Sequence, residues 1–138
     1  MKVNKKNINR LDDFRLHDSE LVEVCLKYDD NIMTVVINHF HLKNKVTIIF
    51  KEVLYTEMTN IKLWGGGDCI LDWELNENDK MLENFIQMQD KELQSEFVVW
   101  SKLTEVADLN DFFSLSFVLN SGDKITTICN EIICEDID

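Results

Sequence analysis

The sequence predicts an α+β fold that is mainly antiparallel β-sheet, a meander and hairpins in a curved sheet or sandwich, with one substantial helix. Two observations carry that prediction. Apolar residues alternate with polar ones at a period of two along most of the chain, and only residues 78–93 lengthen the period to that of a helix. Breaks between the runs are marked by Asn, Asp and Gly, because the 138 residues include no proline. That length suits a single domain, 1–138, and 45% hydrophobic residues suffice for a core.

Taken in order, ELVEVCLKY (20–28) places Val22, Val24, Leu26 and Tyr28 on one face of a half-buried strand, with Glu23 and Lys27 opposite. YDDN turns the chain into a β-branched second arm, Ile32 to His39, and Val46–Phe50 forms a third strand after LKNK. WGGGDC (64–69) is the sharpest glycine signal. A phosphate-cradling loop needs a helix after it and, in its standard form, a Lys-Ser/Thr pair, whereas the strand-like CILDWEL (69–75) follows, so the glycines read as a bend or bulge.

From Asn78 the pattern is helical. Asn78 suits the cap and Asp79 the positive end of the helix dipole, and Met81, Leu82, Phe85, Ile86, Met88 and Leu93 form the apolar stripe. EFVVWSKLT (96–104) reads as a further strand. The chain then closes with a hairpin: Phe113, Leu115, Phe117 and Leu119 alternate, NSGD turns, and KITTICNEII returns with Ile125, Thr127 and Cys129 on one face.

Charge is uneven. Net charge is −12, yet residues 1–67 hold ten Lys and Arg against nine Asp and Glu, whereas residues 68–138 hold four against seventeen. Such a field repels nucleic acid and anionic membrane and speeds encounter with a cationic partner. Asp68, Asp72, Glu92 and Glu96 are the candidate partner-binding residues on that acidic half. No apolar run follows the basic N-terminus and none is long enough to span a membrane, so a cytoplasmic location is expected.

The trio His17-Asp18-Ser19 contains the residue types of a hydrolase triad. Neighbours along an extended chain point to alternating sides, so they cannot converge on one another, and no glycine-flanked nucleophile setting surrounds the serine. The spacing suits structure instead, with Asp18 and Ser19 bonding nearby backbone N–H groups and His17 bridging to a loop. His39 and His41, two apart, would share a strand face and are the candidate metal ligands, although no third ligand is fixed nearby and hydrogen-bonded histidines are the simpler reading. The four cysteines form no CxxC pair. Most read as buried thiols, and Cys134, in an acidic tail, as unreactive. No cofactor is expected.

FRLHDSELVEVCLKYDDNIMTVVI, followed by VTIIF and the closing FSLSFVLNSGDKITTICNEI hairpin, resembles small bacterial proteins in which a histidine–aspartate–serine segment leads into a β-meander. These are the polymorphic-toxin immunity proteins, in particular the group called immunity protein 50, and similar uncharacterised families. The resemblance covers roughly the first fifty and last thirty residues, and its motif maps onto His17, Asp18 and Ser19 alone. It implies a non-enzymatic protein that neutralises a co-produced toxin inside the cell, in keeping with an acidic surface that occludes a basic toxin domain. A small-molecule or metal-binding domain using the His39/His41 region is the alternative, and an enzyme the third reading.

Overall fold

A computed structural model describes residues 1–59, 69–75, 80–93 and 109–136. Strand β1 (Lys2–Asn4) leads into a 3₁₀ segment (Lys5–Phe14), followed by β2 (Ser19–Lys27), β3 (Ile32–Asn38), β4 (Lys45–Lys51), β5 (Tyr55–Met58) and β6 (Cys69–Leu75). Helix α1 (Lys80–Leu93) comes next, then a short 3₁₀ turn (Leu109–Asp111), β7 (Phe113–Leu119), β8 (Lys124–Cys129) and β9 (Glu131–Asp136). The nine described strands form one sheet in the order β1-β9-β4-β3-β2-β6-β7-β8-β5, and every neighbouring pair is antiparallel. The α+β, mainly antiparallel class read from the sequence is the one observed.

The sheet is not flat. Among the described residues β2 and β6 share two register pairs, Ser19 with Ile70 and Glu20 with Cys69. On one side of that narrow seam lie β1, β9, β4, β3 and β2; on the other lie β6, β7, β8 and β5. The halves face each other: Phe50 of β4 meets Phe117 of β7 edge-on, with ring centroids 5.7 Å apart, although four strand junctions separate them in the sheet. Thr127 of β8 and Thr56 of β5 both direct their hydroxyls at the Met33 sulfur of β3, at 3.8 and 3.6 Å. The space between is filled by the alternate residues of each strand: Met33, Val35 and Ile37; Val46, Ile48 and Phe50; Leu115, Phe117 and Leu119. Period-two patterning therefore shows directly as a sandwich core.

Strand β2 departs from the simple alternation. A bulge between Leu21 and Glu23 inserts one residue opposite β3, so Leu21 pairs with Ile37 and Glu23 with Val36. Leu21 and Val24 pack on the core, and Val22 is left 45% exposed. The sequence placed Val22 on the core face; the extra residue reverses it. Tyr28, assigned to the same face, lies beyond the strand and is exposed.

The closing hairpin forms as its alternation predicts. Gly122 sits at φ +85° in its turn, where a β-carbon is disfavoured, and donates to the Leu119 carbonyl at 2.9 Å. Its returning arm, however, is two strands. β8 stays with β7 and β5, the chain bends at Asn130, and β9 crosses to pair with β4 and β1. Cys134 is thus a buried residue of β9 rather than part of a tail, and its N–H donates to the Met1 carbonyl at 2.8 Å. All four cysteines are thiols, two buried and two half-buried. Burial pushes the Cys129 thiol up to about 12, against a smaller lowering by a backbone hydrogen bond at Glu131.

On the outer surface of the second half, α1 sets Leu82 and Phe85, with half-buried Ile86 beside them, against Phe112 and Ile128. The Phe85 ring lies 5.9 Å from that of Tyr55 on β5. This is the Leu82, Phe85, Ile86 side expected from helical spacing; Met88, assigned to the same stripe, is 42% exposed. Asn78, Asp79, the triple glycine and the 96–104 segment lie outside the described residues.

Phe85→Ala is expected to cost about 3–5 kcal/mol, the range for emptying an aromatic core site, as read from urea unfolding. Near-wild-type stability would detach α1 from the core. Cys129 adds a pH dependence. Its thiol ionises in the unfolded chain near the ordinary value of 9.0 but only near 12 when folded, so its contribution is whole below about pH 9 and declines as pH rises through the interval. Urea midpoints of Cys129→Ala should fall less steeply between about pH 9 and 11 than those of the wild type, about a cavity-lowered baseline.

Candidate functional site

The His-Asp-Ser segment lies where β2 meets the seam. Arg15, at φ +49°, ends the 3₁₀ segment with its N–H on the Asp12 carbonyl, and Leu16 drops into the core. Asp18 takes φ +66° and donates its backbone N–H to the Ile70 carbonyl of β6 at 2.9 Å. The Ser19 N–H closes a tight turn on the Leu16 carbonyl at 2.9 Å. Asp tolerates the left-handed conformation better than most residues, and this backbone requires it.

Ser19 is fully buried, and its Oγ accepts the Phe40 N–H at 3.1 Å. The side chains of His17 and Asp18 face the other way, into solvent, with Nδ1 and Oδ2 3.1 Å apart at 61% and 53% exposure. The three residues therefore do not converge. The serine bonds backbone, as its spacing suggests; the aspartate contributes its backbone conformation and meets His17 rather than capping an N–H.

His39 and His41 flank the same place but lie past the end of β3, in the turn to β4. His39 continues the buried odd-numbered parity of Met33, Val35 and Ile37 and is 3% exposed. Its Nε2 reaches the Phe14 carbonyl at 2.6 Å, and its Nδ1 accepts the Leu42 N–H at 3.1 Å, which assigns the proton to Nε2. With both ring nitrogens committed to backbone, no lone pair is left for a metal. Among the described residues no group of three or more His, Cys, Asp or Glu side chains is placed to hold an ion. The His39 and His41 rings are 6.1 Å apart, His41 is exposed, and Phe14 stacks edge-on against His39 at 5.1 Å.

The proposed partner-binding carboxylates are scattered. Asp72 is exposed on β6, where a bulge between Ile70 and Asp72 resets the register to β7. Glu92 is on α1, and its side chain, like Asp68 and Glu96 altogether, lies outside the described residues. At the far end of β3 from His39, a cavity of about 360 Å³ is lined by Leu26, Lys27, Tyr28, Ile32, Val53 and Tyr55 among others. The Tyr55 hydroxyl donates to Glu57 at 3.0 Å, and that bond, with burial and the Glu57 charge, holds its pKa above the ordinary tyrosine value. Neither Tyr28 nor Tyr55 was singled out by motif, since isolated tyrosines on strand ends carry no spacing signal.

No protein-family model matches this chain, and no curated protein matches it in sequence.

Substitutions at two positions test the account of the motif. Ser19→Ala should cost about 1–3 kcal/mol in urea unfolding, since it strands the Phe40 N–H. Asp18→Gly should stay close to wild type whereas Asp18→Ala loses about 1 kcal/mol, because the site requires a left-handed residue. Equal losses at Asp18 would assign the role to the carboxylate instead.

Proposed function

We propose that the chain is a non-enzymatic binding protein of the immunity kind, which neutralises a co-produced cationic toxin by covering it. The division of charge carries this reading: all of the excess acidity belongs to residues 68–138. Among the described residues of that half, Asp72, Glu83, Asp111 and Glu135 are exposed carboxylates. One of its few cations, Lys124, is already paired with Glu74 at 2.8 Å. Net negative potential of this size attracts a basic surface from a distance and keeps nucleic acid away. The resemblance of the His17-Asp18-Ser19 segment and its meander to immunity proteins supports the same conclusion, as does the commitment of the buried Ser19 hydroxyl to the Phe40 N–H, away from the solvent-facing His17–Asp18 pair.

Surface plasmon resonance against the toxin domain encoded beside this chain tests the reading. Reversing Asp68, Asp72, Glu92 and Glu96 to Lys should slow association at least several-fold without unfolding the protein, and wild-type association should slow as salt rises, because exposed charges are screened beyond about 8 Å at physiological ionic strength. Association indifferent to both changes would leave the acidity as a solubility feature.

A further inference from the structure

The turn between β3 and β4, HFHLKNK (39–45), presents apolar side chains outward from a backbone that is fixed inward. Four of its N–H groups are spoken for: His39 donates to the Asn44 carbonyl at 2.9 Å, Phe40 to Ser19 Oγ at 3.1 Å, Leu42 to His39 Nδ1 at 3.1 Å and Lys43 to the His39 carbonyl at 3.0 Å. Lys43 takes φ +58° to close the loop. Phe40 and Leu42 are nevertheless each 46% exposed, and Lys43 Nζ lies 4.1 Å above the Phe40 ring. Single exposed apolar residues are ordinary, but two large ones on one rigid turn, with an aromatic ring between flanking histidines, resemble the anchors of protein interfaces.

This end carries more cations than the net charge of the molecule suggests. Segments 14–19 and 39–45 meet through the His39–Phe14 and Phe40–Ser19 bonds and carry Arg15, Lys43 and Lys45 with Asp18, on a chain of net −12. Glu20 lies alongside, its carboxylate accepting from Asn38 across from Lys45, and exposed Asp12 and Asp13 precede Phe14. Among the described residues none of those three cations has an ion-pair partner. Anionic lipid would favour the same lysines, yet the whole molecule repels it. A second copy meeting tip to tip would oppose like charges.

We infer that the 39–45 turn is the anchor of the complex: Phe40 and Leu42 enter a recess on the partner protein that has an apolar floor and a carboxylate lip, which Arg15, Lys43 and Lys45 meet. This rests on the binding-protein reading above, and it separates two tasks on one molecule. Acidic residues of the second half govern encounter, and the pre-ordered turn governs residence, since its conformation is fixed before binding. The serine of the His-Asp-Ser segment then has a role in function as well, as the brace beneath Phe40.

The test compares dissociation of the same toxin domain from wild type, Phe40→Ser/Leu42→Ser and Lys43→Glu/Lys45→Glu. Both double variants should release it at least about tenfold faster, with unchanged melting temperature and, for the serine pair, an unchanged salt dependence of association. Unaltered dissociation from a toxin that the wild type binds would overturn the anchor and leave the binding reading intact. A wild type that binds no toxin would remove both. A wild-type dimer dissolved by the serine pair, or sedimentation with phosphatidylserine vesicles lost in it, would overturn the inference in favour of self-association or a membrane.

Discussion

Everything on both halves of the sheet depends on the narrow seam between β2 and β6. Among the described residues two register pairs and the bond from the Asp18 N–H to the Ile70 carbonyl carry the sheet's hydrogen bonding from one half to the other. The sheet turns at Ser19, and its apolar alternation becomes one shared interior rather than two separate faces. A left-handed Asp18 and a buried Ser19 are the local consequences of turning a chain within so few residues. The two halves then differ in how they meet solvent: α1 covers the outer surface around Ile128, whereas outer-face residues of the β2–β4 layer such as Thr34, Val36 and Ile49 remain partly exposed.

Most of this was legible in period and punctuation. The strands from Ile32, from Val46 and from Cys69, and the first arm of the closing hairpin, stand within a residue or two of where alternation placed them, because each has a single buried face to declare. α1 was equally legible from its change of period. What alternation cannot announce is an interruption of itself. The extra residue at Val22 and the bend at Asn130 both fall inside runs that look continuous, and each changes which strand or face the following residues join. Likewise CEDID reads as a charged tail by composition, while the pairing of Ile48 with Cys134 makes residues 134–136 part of an interior strand, with Glu135 exposed.

The candidate site shows the same division. His39 had a readable signal, the odd-numbered parity of β3 carried one step further, and that parity belongs to a buried brace rather than to a ligand. Phe40 had none, since an aromatic side chain that points outward is recognisable only once the turn beneath it is known. The motif residues were separable by adjacency alone: neighbours cannot converge. Their division of labour, a serine for the partner turn and an aspartate for its backbone shape, needed the distances.

The pairing of β9 with β4 and β1 has a consequence for how quickly the molecule forms. Lys2 pairs with Ile133 and Lys51 with Glu131, so the half of the sheet that opens the chain is joined by contacts spanning about eighty to more than a hundred and thirty residues. Loop-closure entropy must be met before those bonds repay it, and the resulting high contact order makes this a slow folder among domains of its size. During that wait the β4 edge, with Ile49 beside it, is an unpaired template for another chain's strand. Arrival of β9 removes the hazard, which makes residues 131–136 the natural guard against aggregation as well as the last piece of the core.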